Sequence, residues 1–111
     1  MDRIRTCYKV CDTARGRPTS MIATGNSSVD YIIGERTYAN PGHRPLSAFR
    51  KCKHTKEWCQ WDSNIVMRCR YWPVSIVYRL RLLLDKDYWM GLPGTVYCDW
   101  IEPVEEVPKP K

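Results

Sequence analysis

The stretch IVMRCRYW, Ile65–Trp72, decides how this chain is read. Ile65, Met67, Cys69 and Tyr71 alternate with Val66, Arg68 and Arg70, and a repeat of two residues is that of a strand with one face buried and one in solvent. An antiparallel sheet packed on one side produces this alternation, whereas a strand buried on both faces reads as an unbroken apolar run.

The same period appears on both sides of this strand. RIRTCYKVC, Arg3–Cys11, sets Ile4, Thr6, Tyr8 and Val10 against Arg3, Arg5, Cys7, Lys9 and Cys11. TVYCDWI, Thr95–Ile101, follows the turn residues of GLPG and closes the sheet. VDYIIGERTY, residues 29–38, reads as a further strand in which Gly34 marks a bulge or a close backbone approach. LSAF, Leu46–Phe49, is a short strand. Residues 12–28 are rich in Gly, Ser, Thr and Asn and read as a loop, with a short strand expected at SMIAT; ANPGHRP, residues 39–45, is a turn cluster.

One segment changes period. Cys52, Thr55, Trp58 and Cys59 fall at i, i+3, i+6 and i+7, which predicts a helix over Cys52–Trp61 with its lysines toward solvent. SIVYRLRLLL, residues 75–84, fits both periods. The strand reading, which is preferred, places Arg79 and Arg81 on one face; a helix separates them. The expected fold is therefore α+β, a single domain with a twisted, mainly antiparallel sheet of five or six strands and one short helix. It spans residues 1–102, with 103–111 a Pro-rich flexible tail.

The 111 residues suffice for one core and not two. Five Trp, seven Tyr and a hydrophobic share of 43% set the chain apart from disordered sequences. The longest apolar run, Leu82–Leu84, is too short to cross a bilayer, and the charged N-terminus has no apolar signal core, so a cytoplasmic setting is expected. In that setting the six cysteines are reduced, most of them as small core residues. Cys7 and Cys11 on one extended strand lie roughly 13 Å apart, too far to bridge.

Motifs that carry chemistry are few. Cys52, His54 and Cys59 lack the paired spacing of a structural zinc site, and no metal or cofactor is expected. No phosphate-cradling glycine loop and no nucleophile–base signature is present. The order of elements loosely resembles the core of ADP-ribosyltransferases; that resemblance nominates Arg5, Ser20 and Glu102 or Glu106, with the serine element misplaced and the acids in the Pro-rich tail.

Charge is more informative. The net charge is +6, and residues 1–70 carry 13 Lys or Arg against 6 Asp or Glu, while residues 71–111 carry 5 against 6. A basic body suits an anionic partner: a nucleotide, nucleic acid or an acidic host protein. The candidate binding residues are the strand pairs Arg68 with Arg70, Arg3 with Arg5, and Arg79 with Arg81. Lys9, the loop arginines Arg15 and Arg17, and the nearby rings Tyr71 and Trp72 complete the set. Together they suit phosphate neutralisation and base stacking.

The pieces Tyr8-Lys9-Val10, Ser20, Tyr31 with Gly34, Leu46 to Phe49, Thr55 with Trp58, Cys69 and Pro93-Gly94-Thr95 follow one outline. It resembles a group of short, uncharacterised phage, prophage and archaeal proteins, and the resemblance runs to about Val107. The helix of such proteins usually carries Ala and Phe where this chain has Thr55 and Trp58. The resemblance implies a phage-type, non-enzymatic protein that acts in the host cytoplasm by binding, sequestering a nucleotide signal or blocking a defence complex. A nucleic-acid-binding accessory protein and a degenerate transferase are the alternatives.

Overall fold

In the computed structural model, which describes residues 3–20, 29–38, 46–74 and 94–111, the alternation at Ile65–Trp72 becomes the central strand of an antiparallel sheet. In chain order the elements are β1 (Arg5–Asp12), β2 (Thr19–Ser20), β3 (Thr37–Tyr38), β4 (Leu46–Phe49), a 3-10 helix (Cys52–Trp58), β5 (Asn64–Pro73) and β6 (Thr95–Val107). β5 pairs with β1 along its length, from Arg5 opposite Tyr71 to Asp12 opposite Asn64, and with β6 on its other side. β6 in turn pairs with β4, and β4 meets β1 where Tyr8 faces Phe49. Four strands thus pair in a closed circuit, β1–β5–β6–β4, with β2 and β3 as short additions at its margins.

Closing so few strands requires sharp bends, and β6 supplies them. Its register against β5 shifts between Arg68 and Cys69 and again between Trp72 and Pro73. An extra residue at such a place bends the strand and increases its twist.

The inside of the circuit is the core. Cys7, Cys11, Cys69, Cys98, Met67, Tyr71 and Ile101 are buried there with Leu46, Ala48, Val96, Val29 and Tyr31. Four of the six cysteines have no exposed surface, and none of the six is in a disulfide. Cys7 faces Cys69 in register, and these thiols together with Cys98 lie in hydrogen-bonding contact. Hydrogen bonding to Cys7 and burial push the Cys69 thiol up. Cys69 pulls Cys7 down, but the bond to Cys98 and burial outweigh it, so Cys7 is raised as well.

A smaller packed layer covers part of the outer face. Val10 and Val66, opposite one another, are buried where the 3-10 helix rests on β1, and Thr55 is the buried residue of that helix. Phe49 and Trp58 meet with ring centroids 6.4 Å apart, a contact worth about 1 kcal/mol beyond the area it buries. The helix is shorter than the expected Cys52–Trp61 and is not α. Cys52, Thr55 and Trp58 recur every third residue, the period of a 3-10 helix, so all three fall on one side of it. Thr55 Oγ1 donates to the Cys52 carbonyl at 2.7 Å, and the turn beyond the helix is held by Asn64. The Asn64 Oδ1 accepts from the backbone N–H groups of Gln60 and Trp61 at 3.1 and 3.0 Å.

Two other expectations change. Residues 29–38 do not form one strand. Asp30 makes an isolated bridge to Thr19, the chain turns between Ile32 and Glu35 with Gly34 at a φ of 85°, and pairing resumes only at β3. The expected tail is instead strand as far as Val107. Pro103, which has no N–H to offer a ladder, sits where the β5–β6 register shifts, and its carbonyl accepts from Gly34 N–H at 2.9 Å. The strand expected at SMIAT falls, after Ser20, outside the described residues. So do the turn cluster 39–45 and the whole of residues 75–84. Among the described residues no helix is long and apolar enough to cross a membrane.

Candidate functional site

Because the odd-numbered positions of β1 and β5 face the core, the even-numbered ones build an outer face. At the C-terminal end of β5 these are Arg68, Arg70 and Trp72, and their partners across the ladder in β6 are Glu105, Glu102 and Trp100. The two indoles stack, with centroids 6.5 Å apart and planes 26° from parallel. Two guanidiniums lie over this pair. Arg3, just ahead of β1, sits 5.7 Å from the centroid of Trp72, and Arg36 sits 4.2 Å from that of Trp100. Arg36 is brought there by β3, whose Thr37 and Tyr38 pair with Ile101 and Trp100. The result is a row of Arg3, Trp72, Trp100 and Arg36 with Arg70 alongside.

The ion pairs on this face are of two kinds. Arg68 Nε is 2.9 Å from Glu105 Oε1 and donates a hydrogen bond to it. Glu102 is different. Its Oε1 is 3.7 Å from Arg36 Nε and its Oε2 is 3.7 Å from Arg70 Nη1, beyond hydrogen-bond distance in both cases. Arg36 and Arg70 are about half exposed, at 49% and 51%, while Glu102 is set back at 21%. Two guanidiniums therefore share one carboxylate, and with Arg3 over Trp72 beside them the surplus is positive.

The other sequence candidates go elsewhere. Lys9 shares its strand face with Cys7 and Cys11 and so turns into the circuit. Its Nζ donates to the Ser47 carbonyl at 2.6 Å and lies 5.2 Å from the centroid of the Tyr31 ring. Burial opposes the Lys9 charge, but Tyr31 and the neighbouring thiols Cys11 and Cys98 more than offset this and hold its ammonium above the usual lysine range. Burial pushes the Tyr31 phenol up as well, with Lys9 pulling against it, so the pair is an ammonium beside a neutral phenol at neutral pH. Tyr71 is also interior, its hydroxyl in reach of Arg5, and burial raises its pKa. Arg15 is exposed in the turn that follows β1, and Arg17 is paired with Asp30 at 2.9 Å. Arg79 and Arg81 lie outside the described residues. Of the candidates, Arg3, Arg70 and Trp72 come together, with Arg68 beside them in its closed pair.

The transferase nominees do not converge. Ser20 pairs with Cys11, about 20 Å along β1 from Arg5, and Glu102 lies on the opposite face of the sheet from Arg5. Among the described residues no group of three His, Cys, Asp or Glu is placed to hold a metal.

Arg36, Trp100 and Glu102 complete the face but do not stand out in the sequence as binding residues. Their position depends on strand register, and Trp100 in isolation is one more large ring in a strand. No family model, curated protein or solved structure matches the chain.

Proposed function

We propose that this protein is a non-enzymatic binding protein whose outer face takes an anionic ligand with a planar base, a nucleotide in the first place. The observation that supports this most is the Trp72–Trp100 stack with Arg3 and Arg36 over its two rings and Arg70 next to it. Guanidiniums bind phosphate through paired N–H donors, and an indole accepts a base whatever its sequence; here the half-buried Trp72 offers that contact and the buried Trp100 supports it from beneath. In the phage-type setting that the sequence outline implies, such a protein acts on its host by sequestering a nucleotide signal. A single-stranded nucleic acid offers the same two groups and is the competing ligand; its affinity falls steeply with added salt because many phosphates are neutralised together.

Titration of tryptophan fluorescence tests the reading. Adenosine monophosphate is expected to quench the Trp72–Trp100 emission saturably. The triple variant Arg3→Ala, Arg36→Ala, Arg70→Ala is expected to lower affinity by about 150-fold, given roughly 1 kcal/mol for each exposed charged contact. Arg68→Ala is expected to stay within about two-fold, since its guanidinium already serves Glu105. Equal losses in Arg68→Ala and the triple variant would place binding elsewhere.

A further inference from the structure

The two 3.7 Å contacts of Glu102 bear on which phosphate the face accepts. A carboxylate beside one arginine normally closes to a hydrogen bond, as Glu105 does with Arg68 at 2.9 Å. Glu102 instead points one oxygen at each of two guanidiniums and bonds neither. It occupies the position between them with a single negative charge, and that is the position a phosphate must take to meet both. Resting on the nucleotide reading above, we propose that Glu102 is a built-in competitor that sets the threshold a ligand must exceed, which a phosphate monoester passes and a phosphodiester does not.

The chemistry separates the two ligands by charge and by oxygen count. A terminal monoester carries about −1.5 to −2 at pH 7 and three acceptor oxygens, enough for paired N–H donors from Arg36 and Arg70 at once. It outcompetes a carboxylate of charge −1 for the same guanidiniums. A diester carries a single charge and two free oxygens, no more than Glu102 already presents, and gains little by displacing it. Arg3 lies over Trp72, no carboxylate among the described residues is ion-paired with it, and it is left to the rest of the ligand. The same argument disfavours nucleic-acid backbone, which is diester throughout.

Calorimetric titration with adenosine 5′-monophosphate and with adenosine 3′,5′-cyclic monophosphate tests this, since the two differ in the ester and not the base. The native chain is expected to bind the monoester at least about 10-fold more tightly. Glu102→Gln keeps the side chain's size and removes its charge; it is expected to tighten both ligands about 10-fold, so that the cyclic diester binds the variant about as the monoester binds the native chain. Glu105→Gln, whose carboxylate serves Arg68, is expected to leave both affinities unchanged. Equal binding of both ligands by the native chain, or unchanged affinities in Glu102→Gln, overturns the role of Glu102 while leaving the nucleotide reading in place. Absence of binding by both the native chain and Glu102→Gln, with thermal unfolding showing both folded, overturns the two together.

Discussion

Gly94→Ala is expected to lose about 2–5 kcal/mol of stability, a large share of what a domain of this size has. Two independent costs add. Gly94 has a φ of 85°, where an L side chain is strained by about 1–2 kcal/mol. A Cβ built there would also overlap Nδ1 of His54 and lie under 3 Å from the two ring carbons beside it. The ring is half-buried, so it cannot simply swing into solvent, and overpacking of this kind adds about 1–3 kcal/mol. Gly94 further anchors the start of β6, its carbonyl accepting from Arg50 N–H at 2.7 Å. Gly34→Ala is the natural control. Its φ is the same 85°, but nothing lies within 4 Å of the added methyl, so only the strain of about 1–2 kcal/mol should appear. Urea unfolding of the two variants and of Gly94→Ala with His54→Ala measures this. The second change should restore the steric part; equal losses in Gly94→Ala and Gly34→Ala would mean that the His54 contact is not felt.

Stability is expected to fall steeply in alkali. Cys11 is pushed up to about 12, first by burial and with Lys9 pulling against it, from an ordinary thiol value near 9. Cys7 and Cys69 are raised as described above, and burial raises Tyr31. For each of these acids the folded pKa lies above the unfolded one. The stabilisation they confer is complete below the unfolded value and is lost as pH climbs toward the folded value. Lys9, also raised, changes in the same direction. Cys11 alone accounts for about 2 kcal/mol by pH 10.5, and the other groups add to it. Melting temperature should be level between pH 7 and about 8 and drop progressively above about 9. A level profile to pH 11 would mean that these thiols ionise in the folded chain as they do in solvent.

Much of the sheet was legible because its signal is local. Period-two alternation in Arg3–Cys11 and Ile65–Trp72 survives as β1 and β5, whose inner positions Cys7, Cys69 and Tyr71 form the core. What was not legible depends on residues far apart in sequence. Lys9 reads as a companion of Arg3 and Arg5, because all three share a strand face, and only closure of the circuit turns that face inward at Lys9. Pro103 reads as the end of the sheet, since a proline removes a ladder donor. At a register shift that donor is not needed, and β6 continues to Val107. The spacing at Cys52, Thr55 and Trp58 fits a three-residue repeat at least as well as the α period, and the seven-residue 3-10 helix follows it.

The candidate site divides along the same line. Arg68 and Arg70 share a face by simple alternation. That one is closed by Glu105 while the other faces a carboxylate it does not reach is a matter of cross-strand register. Trp72 and Trp100 are 28 positions apart and meet only because β5 and β6 pair as they do. Arg36 reaches Trp100 through β3, a strand of two residues with no periodic signature of its own.

The most direct test of the account is to map adenosine monophosphate onto the chain by two-dimensional NMR of the 15N-labelled protein. The prediction is that shift changes gather at the indole N–H groups of Trp72 and Trp100 and at the amides of Arg36, Arg70 and Glu102, with Lys9, Tyr31 and the inner face of β1 unmoved. Changes centred on Lys9 and Tyr31, or none at millimolar nucleotide, would contradict it.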